Sequence, residues 1–175
     1  MNTKIETTKI ISLKITQKKY DSFDEIVKVC HLNTGYCSHL EDDSVCKNRI
    51  LADISSNKEE DIFLYYEGKN QRISDGSDFY NYFDSNGFKV IKKTHPSILF
   101  NSMKKLTEEK LTQLGIPNYV DVVLPTEKQF LFFNEEGRSG FLLVNRDRGN
   151  RKLNFVGFHG VWSPDFAFLL CKKKT

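Results

Sequence analysis

The chain has 175 residues, of which 39% are hydrophobic and 28% charged. That balance belongs to a soluble globular domain with its own core, and it excludes a disordered or collagen-like chain. No apolar run reaches the ~18 residues needed to cross a bilayer as a helix. The formal net charge is only +3, too small by itself to imply a polyanionic partner. The distribution is more telling. Residues 1–87 hold 11 Lys/Arg against 15 Asp/Glu, and residues 88–175 hold 15 against 8. Such asymmetry between halves points to an interaction surface in the basic half.

The opening segment, MNTKIETTKIISLKITQKK, has no apolar core of signal-peptide length and no small-residue cleavage site. A cytoplasmic, reducing setting is the expectation, with Cys30, Cys37, Cys46 and Cys171 as free thiols. Residues 4–17 are rich in β-branched side chains and predict a first strand. Ser22 followed by Glu25 is a capping-box pattern. It predicts a helix over about 22–31, with Phe23, Ile26, Val27 and Cys30 on one face. Residues 33–60 are polar and aperiodic. A strand is expected at 62–66, turning through 67–70 onto 71–73.

Ser77-Asp78 and Asn86-Gly87 bracket a second helix carrying Phe79, Tyr80, Tyr82 and Phe83. A short strand at 88–91 follows. Ser97 is positioned to cap a further helix that Thr107 continues or restarts, and Gly115-Ile-Pro117 ends it. A strand is expected at 119–124. Four apolar runs then follow, at 129–133, 140–144, 153–158 and 165–171, separated by Gly/Asn turns. Eight of the 14 Phe lie here. These runs predict a four-stranded antiparallel meander. Apolar letters fall on both parities, so both sheet faces should be covered, one by helices and the other by a partner, for which a homo-oligomer is one option. The predicted class is α+β, one domain over 1–175, with an antiparallel sheet packed by about three helices.

Five constellations could carry chemistry. Cys30, Cys37, His39 and Cys46 offer thiolate and imidazole ligands of the type tetrahedral zinc accepts. Their six-residue spacings are unlike the short knuckles of structural zinc sites, and Cys30 also fits the apolar face of the first helix. No cofactor is expected beyond this weak zinc candidate. Cys37 with His39, or Cys171 with His159, are the pairs a thiol enzyme would use. Ser139 lacks the Gly-x-Ser-x-Gly elbow, and Glu108-x-Lys110 reads more simply as acids at a helix start than as a nuclease pair. Phosphate-binding glycine loops are absent.

The fourth constellation is basic. Arg146, Arg148, Arg151 and Lys152 crowd one hairpin connection. Arg138 lies in the preceding turn, and Lys172-Lys173-Lys174 close the sequence. In a simple meander the 145–152 loop and the lysine tail share one end of the sheet, which would gather their charge. The fifth is aromatic: Phe79, Tyr80, Tyr82, Phe83 and Phe88 could line an apolar ligand pocket between sheet and helix. That layout is similar in outline to PAS-like or autoinducer-type sensor domains, although the Trp and Asp landmarks of autoinducer receptors are absent. The leading expectation is a non-enzymatic regulatory module that meets nucleic acid or an acidic protein surface through Arg138, Arg146, Arg148, Arg151 and Lys152. A small-molecule sensor is the first alternative and a Cys/His enzyme the second.

Overall fold

The computed structural model describes residues 8–32, 51, 59–68, 76–91, 96–128, 131–133, 137–157, 162 and 165–173. They form a mixed α/β architecture in which one eight-stranded sheet carries helices on both faces. β1 (Lys9–Thr16) buries Leu13 and Ile15, and it pairs along its whole length with β2 (Glu59–Tyr66) in antiparallel register. Between them in sequence lies α1 (Phe23–Cys30). The Ser22 hydroxyl accepts the Glu25 N–H at 3.2 Å, as the capping pattern requires. The Glu25 carboxylate reaches back one residue further than expected, to the N–H of Asp21.

α2 (Gly76–Ser85) stops at Gly87, whose φ of +82° suits the left-handed terminus. The two-residue strand β3 (Phe88–Lys89) follows. α3 (Ser97–Lys105) begins after Pro96, and here the expected cap is overturned. Ser97 lies inside the first turn, and its hydroxyl instead accepts the backbone N–H of Lys18 at 3.3 Å, tying the β1–α1 connection to α3. A break at Leu106 separates α3 from α4 (Glu108–Gln113). Thr107 caps α4 by accepting the Lys110 N–H, and Gly115 ends it at φ +75°.

The remaining strands are β4 (Asp121–Leu124), β5 (Phe132–Phe133), β6 (Ser139–Asp147), β7 (Asn150–Gly157) and β8 (Phe166–Lys172). The path runs β1-β2-β8-β4-β6-β5, with β7 on β6 and β3 on β8. The expected four-stranded meander is therefore only partly present. β6 and β7 form the hairpin and β5 joins β6, but β8 leaves β7 and inserts between β2 and β4, where it runs parallel to β4. The reason lies in its letters. Ala167, Phe168, Leu169 and Leu170 are buried at both parities, and only a central strand covers both faces. The more polar β1 and β7 take the edges. Gly140 is obligatory in β6, because a Cβ there would collide with the Val156 carbonyl and the Phe155 ring.

Side chains alternate between two cores with a period of two. Ile62, Leu64, Val122, Leu124, Leu142, Val144, Ala167 and Leu169 face α1, α3 and α4. Tyr65, Val123, Phe141, Leu143, Phe168 and Leu170 face α2 and Trp162. The second face, expected to need a partner, is covered by this chain's own aromatics.

Candidate functional site

The basic letters of the C-terminal half divide into two groups with different fates. β6 and β7 continue to Asp147 and Asn150, so the connection between them is only Arg148-Gly149. Both residues have positive φ, 51° and 84°, the geometry of a tight type I′ hairpin turn. What the sequence suggests is a basic loop is therefore mostly strand. Arg146 and Arg151 stand directly opposite each other across the ladder, on the parity that faces the helices.

Both are buried, with relative exposures of 0% and 1%, and neither presents its charge at the surface. Glu108, in the first turn of α4, sits between them. Arg146 donates through Nε and Nη2 to the two carboxylate oxygens at 2.9 Å each, and Arg151 donates through Nε at 2.6 Å. Three further Arg151 bonds and two further Arg146 bonds go to backbone. Arg146 Nη1 binds the carbonyls of Pro117 and Val120. Arg151 binds those of Cys30, Met103 and Leu106. Two like charges facing each other across a ladder repel. Here a shared carboxylate and five carbonyls offset that repulsion, and the positive charge of Arg151 lies at the C-terminal ends of α1 and α3, where the helix dipoles favour it. The cluster pins α1, α3 and α4 to the hairpin just below its turn.

A second carboxylate supports the same strand. Asp121 accepts the backbone N–H of Arg146 at 3.0 Å and the side-chain amide of Asn145 at 3.2 Å. Its burial raises its pKa, and these bonds only partly offset that. For Glu108 the balance is reversed. Burial pushes its carboxyl up, but the hydrogen bonds and charges of Arg146 and Arg151 pull it further down, to a net value below the ordinary one. A carboxylate held in this way is a weak base at neutral pH. A cleft of about 250 Å³ opens beside it, lined by His31, Thr107, Glu108, Gly149 and Arg151.

Arg148 and Lys152 are exposed and pair with no carboxylate among the described residues. Arg138 is exposed as well, at the other end of β6. The expected gathering of the hairpin tip and the lysine tail is overturned by topology. β8 runs parallel to β4, and β4 antiparallel to β6. Lys172 and Lys173 therefore emerge at the end of the sheet opposite the tip. There Lys173 pairs with Asp84 at 2.8 Å and Lys172 lies over the Phe63 ring.

The aromatic candidates are packed against one another. Phe79, Phe83 and Phe88 are buried. The Phe79 ring centre lies 4.9 Å from Phe83, 5.0 Å from Trp162 and 5.2 Å from Phe141. Tyr80 donates to the Thr126 carbonyl, while Tyr82 and Tyr65 both donate to the buried carboxylate of Glu67. Sequence reasoning did not single out Glu67, and no local pattern marks it.

Of the zinc candidates, Cys37, His39 and Cys46 lie outside the described residues, as does His159. Among the described residues no group of three His, Cys, Asp or Glu side chains could hold a metal ion. Cys30 is buried, donates to the Phe100 carbonyl at 3.7 Å and belongs to the helix-face core. Burial pushes its thiol up to about 12 and that of Cys171 to about 11. Both are expected to react with iodoacetamide at pH 8 at least about tenfold more slowly than a free peptide thiol, because the thiolate is the nucleophile. Mass spectrometry of the folded protein after timed alkylation checks this, and rapid labelling of Cys171 would contradict it.

No family model, curated protein or solved structure matches this chain.

Proposed function

We propose that the chain works as one domain, a non-enzymatic cytoplasmic regulatory module whose β6–β7 tip binds the phosphate backbone of nucleic acid. The observation that carries this reading is Arg148. Its φ of 51° is left-handed, a conformation that costs an ordinary side chain roughly 1 kcal/mol and that hairpin turns assign to Asn or Gly. A long cation held there, exposed and with no acid partner among the described residues, is what a contact residue requires. Lys152 supplies a second exposed cation next to the tip. Arg146 and Arg151 enter the proposal as positioning residues. They fix the hairpin just below its turn to three helices, so that the tip is presented without a large ordering cost on binding. Free thiols at Cys30 and Cys171 suit a reducing compartment.

Fluorescence anisotropy with labelled single- and double-stranded oligonucleotides, across a salt series, tests the proposal. Log affinity should fall linearly with log salt. Replacing both Arg148 and Lys152 with Ala should flatten the slope by about 0.7–0.9 for each lost phosphate contact. Absence of salt-dependent binding to either strand form would overturn it. Binding to an acidic peptide alone would move the partner to the protein class.

A further inference from the structure

The opposite edge of the sheet carries a groove that the hairpin reading does not use. It has a volume of about 660 Å³ and lies between the outer edge of β1 and α3. Lys14, Lys18, Lys104 and Lys105 line it, with Gln17 and Asn101 as neutral polar neighbours and Glu59 as the acid. α3 lies along the edge of β1. Asn101 donates to the Thr16 carbonyl at 2.6 Å and Lys105 to the Lys14 carbonyl.

Those two bonds fix the direction of the strand's other groups. In an antiparallel pair, a residue whose C=O points away from its neighbour strand also points its N–H away. The N–H groups of Lys14 and Thr16 therefore face outward beside the groove. Helix side chains occupy the Lys14 and Thr16 carbonyls, and the amide donors of the same two residues have no partner among the described residues. Lys14 pairs with Asp61 at 2.7 Å and Lys18 with Glu25 at 3.0 Å, both as exposed pairs that a ligand can exchange. Lys104 and Lys105 are exposed and pair with no acid among the described residues. Lys105 retains two of its three ammonium donors.

We propose that this groove is a second binding site, taking a compact polyphosphate anion held by Lys104, Lys105 and the outward amides of β1. The chemistry fits the ligand. Ammonium groups bind phosphate as point charges from several directions, unlike the planar fork of Arg, and strand amides supply directed donors between them. The volume falls within the range of small-molecule sites and accommodates several linked phosphates. The hairpin tip lies at the far edge of the sheet and contributes no residue to the groove.

Isothermal titration with inorganic tripolyphosphate, at constant ionic strength and with sulfate as comparator, provides the test. Saturable one-to-one binding is expected, about tenfold or more tighter than sulfate. Lys104→Gln with Lys105→Gln should weaken it by about tenfold or more, whereas Arg148→Ala with Lys152→Ala should leave it unchanged. Lys104→Gln alone keeps the bond from Lys105 to β1, and it should still weaken binding by about threefold. A nucleoside triphosphate arm separates the sources. Equal affinity would assign recognition to the phosphates, and tighter binding would add the nucleoside. Binding no tighter than that of sulfate, or unaffected by the two lysine replacements in protein with unchanged circular dichroism, would overturn the proposal.

Discussion

Glu108→Ala is expected to destabilise the protein by about 3 kcal/mol at pH 7, the low end of the range for removing one partner of a buried ion pair. Glu108 keeps a side-chain exposure of 31%, which tempers the effect. The loss arises less from the missing attraction than from what stays behind, two buried guanidiniums without a counter-ion. The pH dependence gives the same cluster a second signature. The folded pKa of Glu108 lies below its unfolded value. Its contribution is therefore fully present above the unfolded value near 4.5 and is lost as pH falls through the lower folded value. Asp121, raised by burial, works in the opposite sense, contributing below its unfolded value and losing that contribution as pH rises. Glu108→Gln keeps Asp121 and removes only the first effect. Urea unfolding between pH 3 and 7 should therefore show a shallower acid loss in Glu108→Gln than in the parent protein. Parallel curves would show that the carboxylate is not coupled to folding.

Phe79→Ala is expected to cost about 4 kcal/mol, within the range for emptying a fully buried aromatic position. Phe79 is 0% exposed and touches Phe83, Phe141, Trp162 and Phe168. Phe79→Leu, which retains most of the volume, should cost less than about 1.5 kcal/mol. Because Trp162 is the chain's single tryptophan, its emission should shift to the red in the alanine variant. This outcome also bears on the sensor alternative. A side chain lining an open ligand cavity loses few neighbours on truncation, so a cost below about 1 kcal/mol would favour a pocket over a packed core.

Much of the architecture is legible in the letters, because local signals and the fold agree. The Ser22 cap, the Gly87 and Gly115 stops and the Thr107 restart are each decided by chemistry within four residues. The position of β8 is not local. Its run over Phe166–Cys171 reads equally well as the fourth strand of a meander, and only competition for the sheet centre places it beside β2 and β4. That one displacement also separates Lys172 and Lys173 from the hairpin tip.

The arginines teach a narrower lesson. Leu142, Val144 and Arg146 form one alternating series, and Arg151 and Leu153 another. Extending those series shows that both arginines share the parity that faces α1, α3 and α4. A stretch rich in charge reads as a loop, and the two-residue turn at Arg148-Gly149 is hidden because Arg occupies a position where Asn is usual. Their counter-ion, Glu108, lies 38 residues before Arg146 in sequence, and no spacing rule connects them.

The central claim is that the hairpin's cations divide by burial, with Arg146 and Arg151 holding the structure and Arg148 and Lys152 meeting the partner. Its most direct test is the salt slope of oligonucleotide affinity set beside the thermal midpoint, for the Arg148→Ala, Lys152→Ala double variant and for Arg151→Met. The expected result is a flattened slope with an unchanged midpoint in the first, and a lowered midpoint with an unchanged slope, measured well below that midpoint, in the second. A slope that flattens in Arg151→Met while the tip variant binds like the parent protein would contradict the account.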